Sequence, residues 1–140
     1  MKTPLKFSER CAMSGTKWLL DTNVVIGLLK QQAAAISLIE SYQFDLSRAA
    51  ISQITRMELL SFPSLVGDEE RTILSFLQSC QVLQIDDAVE HLVIHLRRTS
   101  HCKLPDAIIA ATAQAHHLTL LTLDERLVKL NEQFNNLRSL

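Results

Sequence analysis

Four acidic residues stand where a carboxylate can do chemistry: Asp21 in KWLLDTNVVIGLLK, Glu58 in TRMELL, Asp106 in LPDAIIAATA and Asp124 in LLTLDERL. Asp21 lies at the junction between Trp18-Leu19-Leu20 and Val24-Val25-Ile26. A charge buried there is costly without a partner. The side chain can cap a helix, accepting a hydrogen bond from a backbone N–H two or three residues on, or it can hold a metal ion at a strand end. The junction alone leaves both open. The other acids also have local explanations. Thr55-x-x-Glu58 and Thr122-x-x-Glu125 match capping boxes, with Asp124 inside the first turn of its helix. Asp106 follows Pro105 in a first turn, where the helix dipole favours negative charge.

Jointly the four acids mean more. In an open α/β sheet, ligands bind outside the carboxyl ends of the strands. Carboxylates converging there repel one another unless a cation joins them. Hard oxygen donors suit Mg²⁺ or Mn²⁺, which keep several waters and bind substrate phosphate as well. The constellation implies metal-assisted phosphoryl chemistry.

The elements that must position these acids alternate along the chain. Strands are expected over 18–21, 49–52, 81–85 and 118–121. Helices are expected over about 23–30, through AAAISLIESY, over 55–61, from Asp68-Glu69-Glu70 through ERTILSFLQSC, over DDAVEHLVIHLRR, over 104–117 and through DERLVKLNEQF. Pro105 suits a first helical turn, and DDAVEHLVIHLRR has amphipathic periodicity. Such alternation predicts an α/β fold, a mostly parallel sheet with helices on both faces. Residues 1–16 read as a leader and 17–140 as one domain.

Composition sets the limits. A chain of 140 residues can bury a core of its own. No apolar run approaches the roughly 20 residues of a membrane span, and the N-terminal segment lacks a signal-peptide h-region, so a cytoplasmic location is expected. Cys11, Cys80 and Cys102 are odd in number and widely spaced, as befits reduced thiols. The net charge of −1 gives no overall nucleic-acid footprint.

LLDTNVVI, TRMELL, LPDAIIAATA and LLTLDERL resemble, in order and spacing, the four signature segments of the PIN-domain family, and in particular its VapC-type toxins of bacterial toxin–antitoxin pairs. The resemblance runs from residue 18 to about 130. It implies a three-layer α/β/α sandwich and a Mg²⁺-dependent endoribonuclease, with Mn²⁺ as a substitute, whose metal-binding carboxylates are Asp21, Glu58, Asp106 and Asp124. Asn23 and Thr122 match positions that support the site. It further implies a homodimer silenced by a cognate antitoxin, whose helix would lie in an apolar groove offered by AAAISLIESY and MELLSFPSLV.

Within that frame Asp21 and Asp106 are the candidates for direct ligation, Glu58 for ligation or for orienting the attacking water, and Asp124 for action through water or at a second ion. Arg56, Lys103 and Arg126 lie near the acids in sequence and are candidates for contact with RNA phosphates. Other chemistries fare worse. His91, His95, His101 and Cys102 lack the Glu and the spacing of a zinc site, and no Gly-x-Ser-x-Gly elbow appears. A receiver-like domain would need adjacent acids after its first strand and a Lys ending its last. A non-toxin RNA-processing enzyme or a silent PIN binding module remains the alternative.

Overall fold

The computed structural model describes residues 15–62 and 67–139. Four strands form one parallel sheet in the order β3-β2-β1-β4: β1 (Trp18–Leu20), β2 (Ala49–Ser52), β3 (Gln81–Leu83) and β4 (Thr119–Leu121). β1 is central, with Trp18 opposite Ala49 on one side and Thr119 on the other. Its neighbours therefore come from opposite ends of the chain, and the order reverses between β1 and β4.

Strand side chains alternate between two faces, and the core divides accordingly. Leu19, Ala50 and Leu83 pack beneath α5 (Asp87–Thr99), α6 (Leu104–Ala115) and α7 (Glu125–Ser139). Trp18, Leu20, Ile51 and Leu121 face α1 (Thr22–Leu29), α3 (Gln53–Leu60) and α4 (Gly67–Ser79), with α2 (Ala33–Glu40) alongside. Strands covered on both faces read as unbroken apolar runs, which is why WLL and AAI do not alternate. The result is the expected α/β/α sandwich, with all four strands parallel.

α6 lies deepest. Eight consecutive residues, Ala107 to Gln114, are buried, and its small side chains let α5 and α7 close in from both sides. His117 adopts a left-handed φ of 56° just beyond the helix, and the Leu118 N–H donates to the Ala113 carbonyl, turning the chain into β4.

Several boundaries move for local reasons. Asp21 is the N-cap of α1 rather than the last residue of β1. α3 begins at Gln53, not at Thr55, because the Ser52 hydroxyl accepts from the Ile54 N–H. Thr55 is thereby drawn into the helix and fully buried, so the Thr55–Glu58 capping box does not form. Nor does the one at Thr122–Glu125: the Thr122 hydroxyl turns towards Asp21, and Asp124 accepts the Arg126 N–H ahead of α7. Of the expected leader, residues 1–14 lie outside the described residues. Thr16 already bonds Gln81, and Gly15 accepts from Arg48. Cys80 and Cys102 are free thiols, and Cys11 lies outside the described residues.

α1 and α2 turn through 109° at their junction, and Gly27 makes that packing possible. A methyl group at Gly27 would lie 2.6 Å from the Ala35 Cβ. Gly27→Ala improves helix propensity by up to about 1 kcal/mol but forces two helices apart in a packed core, at about 1–3 kcal/mol. We expect a net loss of stability, read as a thermal midpoint lowered by a few degrees. Gly67→Ala, with nothing within 4 Å, should not lower it.

Candidate active site

Asp21 is the first residue beyond β1, and its N–H still donates to the Leu121 carboxyl-end carbonyl at 3.0 Å. This places the side chain at the point where the strand order reverses, the usual ligand crevice of such sheets. It is only 7% exposed. One oxygen accepts from the Thr22 N–H at 2.8 Å; the other accepts from the Thr122 hydroxyl at 2.7 Å and the Asn23 amide at 3.1 Å. Asn23 in turn accepts from the Leu123 N–H, and Thr122 from the Asp124 N–H. Both residues thus lash the end of β1 to the end of β4.

Glu58, on the fourth side of this arrangement, accepts a 2.5 Å hydrogen bond from the Thr22 hydroxyl. Sequence alone gives Thr22 no role, although it stands between Asp21 and Asn23, where a short polar side chain is well placed to reach a second acid. Asp106 occupies the first turn of α6. Asp21, Glu58 and Asp106 line one open cavity of about 530 Å³ together with Thr22, Asn23 and Phe62. Asp124 does not line it, but its charge is felt by both Asp21 and Asp106.

Burial and mutual repulsion outweigh the positive charge near these acids. Desolvation pushes the Asp21 carboxyl above its ordinary range; Glu58 and Asp124 push the same way, against the hydrogen bonds from Thr122 and Thr22. Asp106 is also raised, by desolvation first and then by Asp124 and Asp21, with Lys103 and Arg126 opposing. Among the described residues the one ion pair is Arg71 with Asp68, remote from these acids. The donor set fits a hard divalent cation. Among the described residues no three of these side chains stand close enough together in this structure to hold an ion, so the fit rests on the chemistry of the carboxylates and not on a formed site.

The expected basic contacts separate. Lys103 and Arg126 line a larger cavity of about 750 Å³ that shares Asp106 with the acidic one. Arg56 is exposed on α3 and lines neither. His91, His95, His101 and Cys102 form no metal-binding group among the described residues. A narrower groove of about 360 Å³ opens on the far side of Phe62, lined by Ile26, Leu29, Phe62 and Ile73 with Lys30 and Glu69. Of the two apolar segments expected to form it, MELLSFPSLV contributes Phe62, whereas AAAISLIESY contributes nothing: Ala35, Leu38 and Ile39 pack into the core instead. Residues 63–66 lie outside the described residues.

The family model of the PIN domain matches residues 18–133. Comparison with curated proteins yields no match. Among solved structures, a toxin–antitoxin complex from Klebsiella pneumoniae is 34% identical, covers 77% of this chain and 87% of its own, and superposes with a TM-score of 0.66. FitAcB from Neisseria gonorrhoeae is 26% identical over 82% of this chain and 93% of its own, also at 0.66. DNA-bound VapBC from Salmonella typhimurium is 26% identical over 81% and 91%, again at 0.66.

Proposed function

Because the chain belongs to the PIN-domain family, we propose that it is a divalent-metal-dependent endoribonuclease, acting as the toxin of a toxin–antitoxin pair. One observation carries this reading: three carboxylates from separate elements line one cavity at the sheet's switch point, two of them raised in pKa and none ion-paired among the described residues. Asp21 and Asp106 are the side chains to hold the ion, with Glu58 beside them and Asp124 contributing charge from behind. Mg²⁺, or Mn²⁺ in its place, supplies a more acidic bound water and a Lewis acid for the phosphoryl oxygen.

The chain's own residues do the remainder. Three donors fix both oxygens of Asp21, so that it presents a rigid carboxylate to the cavity. Thr22 holds one oxygen of Glu58, which orients the carboxylate to receive the proton of the attacking water. As water adds to phosphorus, the bond to the leaving sugar oxygen breaks, and that oxygen takes a proton from solvent. Lys103 and Arg126 lie on the Asp106 side, where they offset the charge gathering on the phosphate.

The partner proposed is an antitoxin, because the Klebsiella relative was solved as a toxin–antitoxin complex. Its amphipathic helix would occupy the apolar groove beside Phe62. An Arg or Lys on that helix would then replace the cation at Asp21 and Asp106. A homodimer and a cytoplasmic location belong to the same proposal. No single helix among the described residues is long and apolar enough to cross a membrane.

Purified protein incubated with RNA should cut it in Mg²⁺ or Mn²⁺ and leave it intact in EDTA. Intact RNA under all three conditions, or cutting that persists in EDTA, would remove the metal-nuclease reading.

A further inference from the structure

The two flanks of the acidic cavity differ in charge. Beyond Phe62 lies the apolar groove, where Asp68 is neutralised by Arg71 and only Lys30 and Glu69 remain to balance one another. Beyond Asp106 lies the 750 Å³ cavity, walled by Arg97 of α5, Lys103, and Arg126 and Lys129 of α7. All four cations are exposed, and none forms an ion pair among the described residues. Asp106 is the one acid in that wall.

Arg97 lies in the last turn of α5, where the helix dipole favours a cation, but local stability does not account for Lys103 and Arg126. Lys103 occupies the N-cap of α6, where Ser, Thr, Asp or Asn is favoured, and makes no capping bond with its side chain. Arg126 lies in the first turn of α7, where the helix dipole disfavours positive charge. Residues that break a local rule without local compensation tend to mark a functional surface. Here they line a cavity of about 750 Å³ that shares Asp106 with the proposed cleavage centre.

The geometry points to a one-sided substrate footprint: the α5–α6–α7 cavity takes the RNA phosphates on one side of the scissile bond, and the opposite flank makes no phosphate contacts. Arg97 and Lys129 are the backbone-binding residues of that cavity. The inference rests on the nuclease reading and adds the face of the protein on which the strand is gripped.

Binding of a labelled unstructured RNA oligonucleotide by the Glu58→Gln protein in Mg²⁺, titrated with salt, tests the first part. Removing two contacts by Arg97→Gln with Lys129→Gln should reduce the slope of log K against log salt by about 1.4 and weaken binding about tenfold near 0.15 M salt. Arg97→Lys with Lys129→Arg should restore both, and Arg98→Gln, on the same helix but outside the cavity, should change neither. Substrates shortened stepwise from each end of a mapped cut test the second part. The Gln pair should weaken cutting only of RNAs that keep one particular flank.

An unchanged slope in a folded Gln pair, while the wild type still cuts RNA, would overturn the footprint and leave the nuclease standing. Equal sensitivity of both flanks would overturn the one-sidedness. Unchanged RNA binding with lost affinity for a co-expressed acidic protein would assign the cavity to that partner and remove the proposal. A wild type that neither binds nor cuts RNA would remove both readings.

Discussion

Asp106→Asn should abolish RNA cleavage, with a loss of about a thousandfold or more, and should at the same time raise the melting temperature of the metal-free protein. The first effect follows from exchanging a metal-holding carboxylate for a neutral amide, since the lost charge stabilisation is worth several kcal/mol and each 1.4 kcal/mol is tenfold in rate. The second follows from the raised pKa of Asp106. Its folded-state pKa lies above its unfolded value of 3.8, so the folded protein binds the proton more tightly. Stability contributed by the protonated form is complete below 3.8 and is lost as pH rises through the folded pKa. At neutral pH the wild type therefore carries a repulsive carboxylate that the Asn variant lacks. Melting in EDTA from acid to neutral pH should show the two proteins diverging across that window. A variant that retains wild-type activity, or that melts below wild type at pH 7, contradicts the assignment. Asp21→Asn should be as inactive but is a poorer stability probe, because one amide oxygen cannot replace both acceptors now serving Thr22, Asn23 and Thr122.

Glu58→Gln is expected to lower turnover by about a hundredfold or more while leaving the fold intact. The amide oxygen of Gln can still accept from the Thr22 hydroxyl, so the local hydrogen bond survives and only the charge and basicity are removed. The helix start is insensitive to the change, since Ser52 and not Thr55 caps α3. The measurement is initial cleavage rate with saturating Mg²⁺, paired with a melting curve. Near-normal turnover would reduce Glu58 to a packing partner of Thr22.

What the sequence discloses and what it conceals have physical causes. The apolar runs WLL and AAI mark strands buried on both faces, and Asp21 is visible beside the first of them because strand ends in a parallel sheet gather ligands. Asn23 and Thr122, each two residues from an acid, are legible through the resemblance to the family's motifs. Thr22 to Glu58 is not legible: it joins residues 36 apart through the packing of α1 on α3. The capping-box pattern of Thr55 and Glu58 puts the start of α3 too late, because Ser52, three residues earlier, is the residue that caps it. Arg97 and Lys129 meet across a cavity only because the small side chains of α6 allow α5 and α7 to approach, a consequence of tertiary packing that no local pattern encodes.

The lashing of Asp21 by Thr122 spans 101 residues of chain, and it sets the order in which the site is assembled during synthesis. The first acid leaves the ribosome early, yet its partners on β4 and its neighbour Asp124 are among the last parts to emerge. A growing polypeptide that ends before β4 has neither the strand that completes the crevice nor the hydroxyl that aligns the carboxylate. On the proposed reading, such a chain would be unable to cut the ribosome or messenger making it until almost the whole domain has been translated.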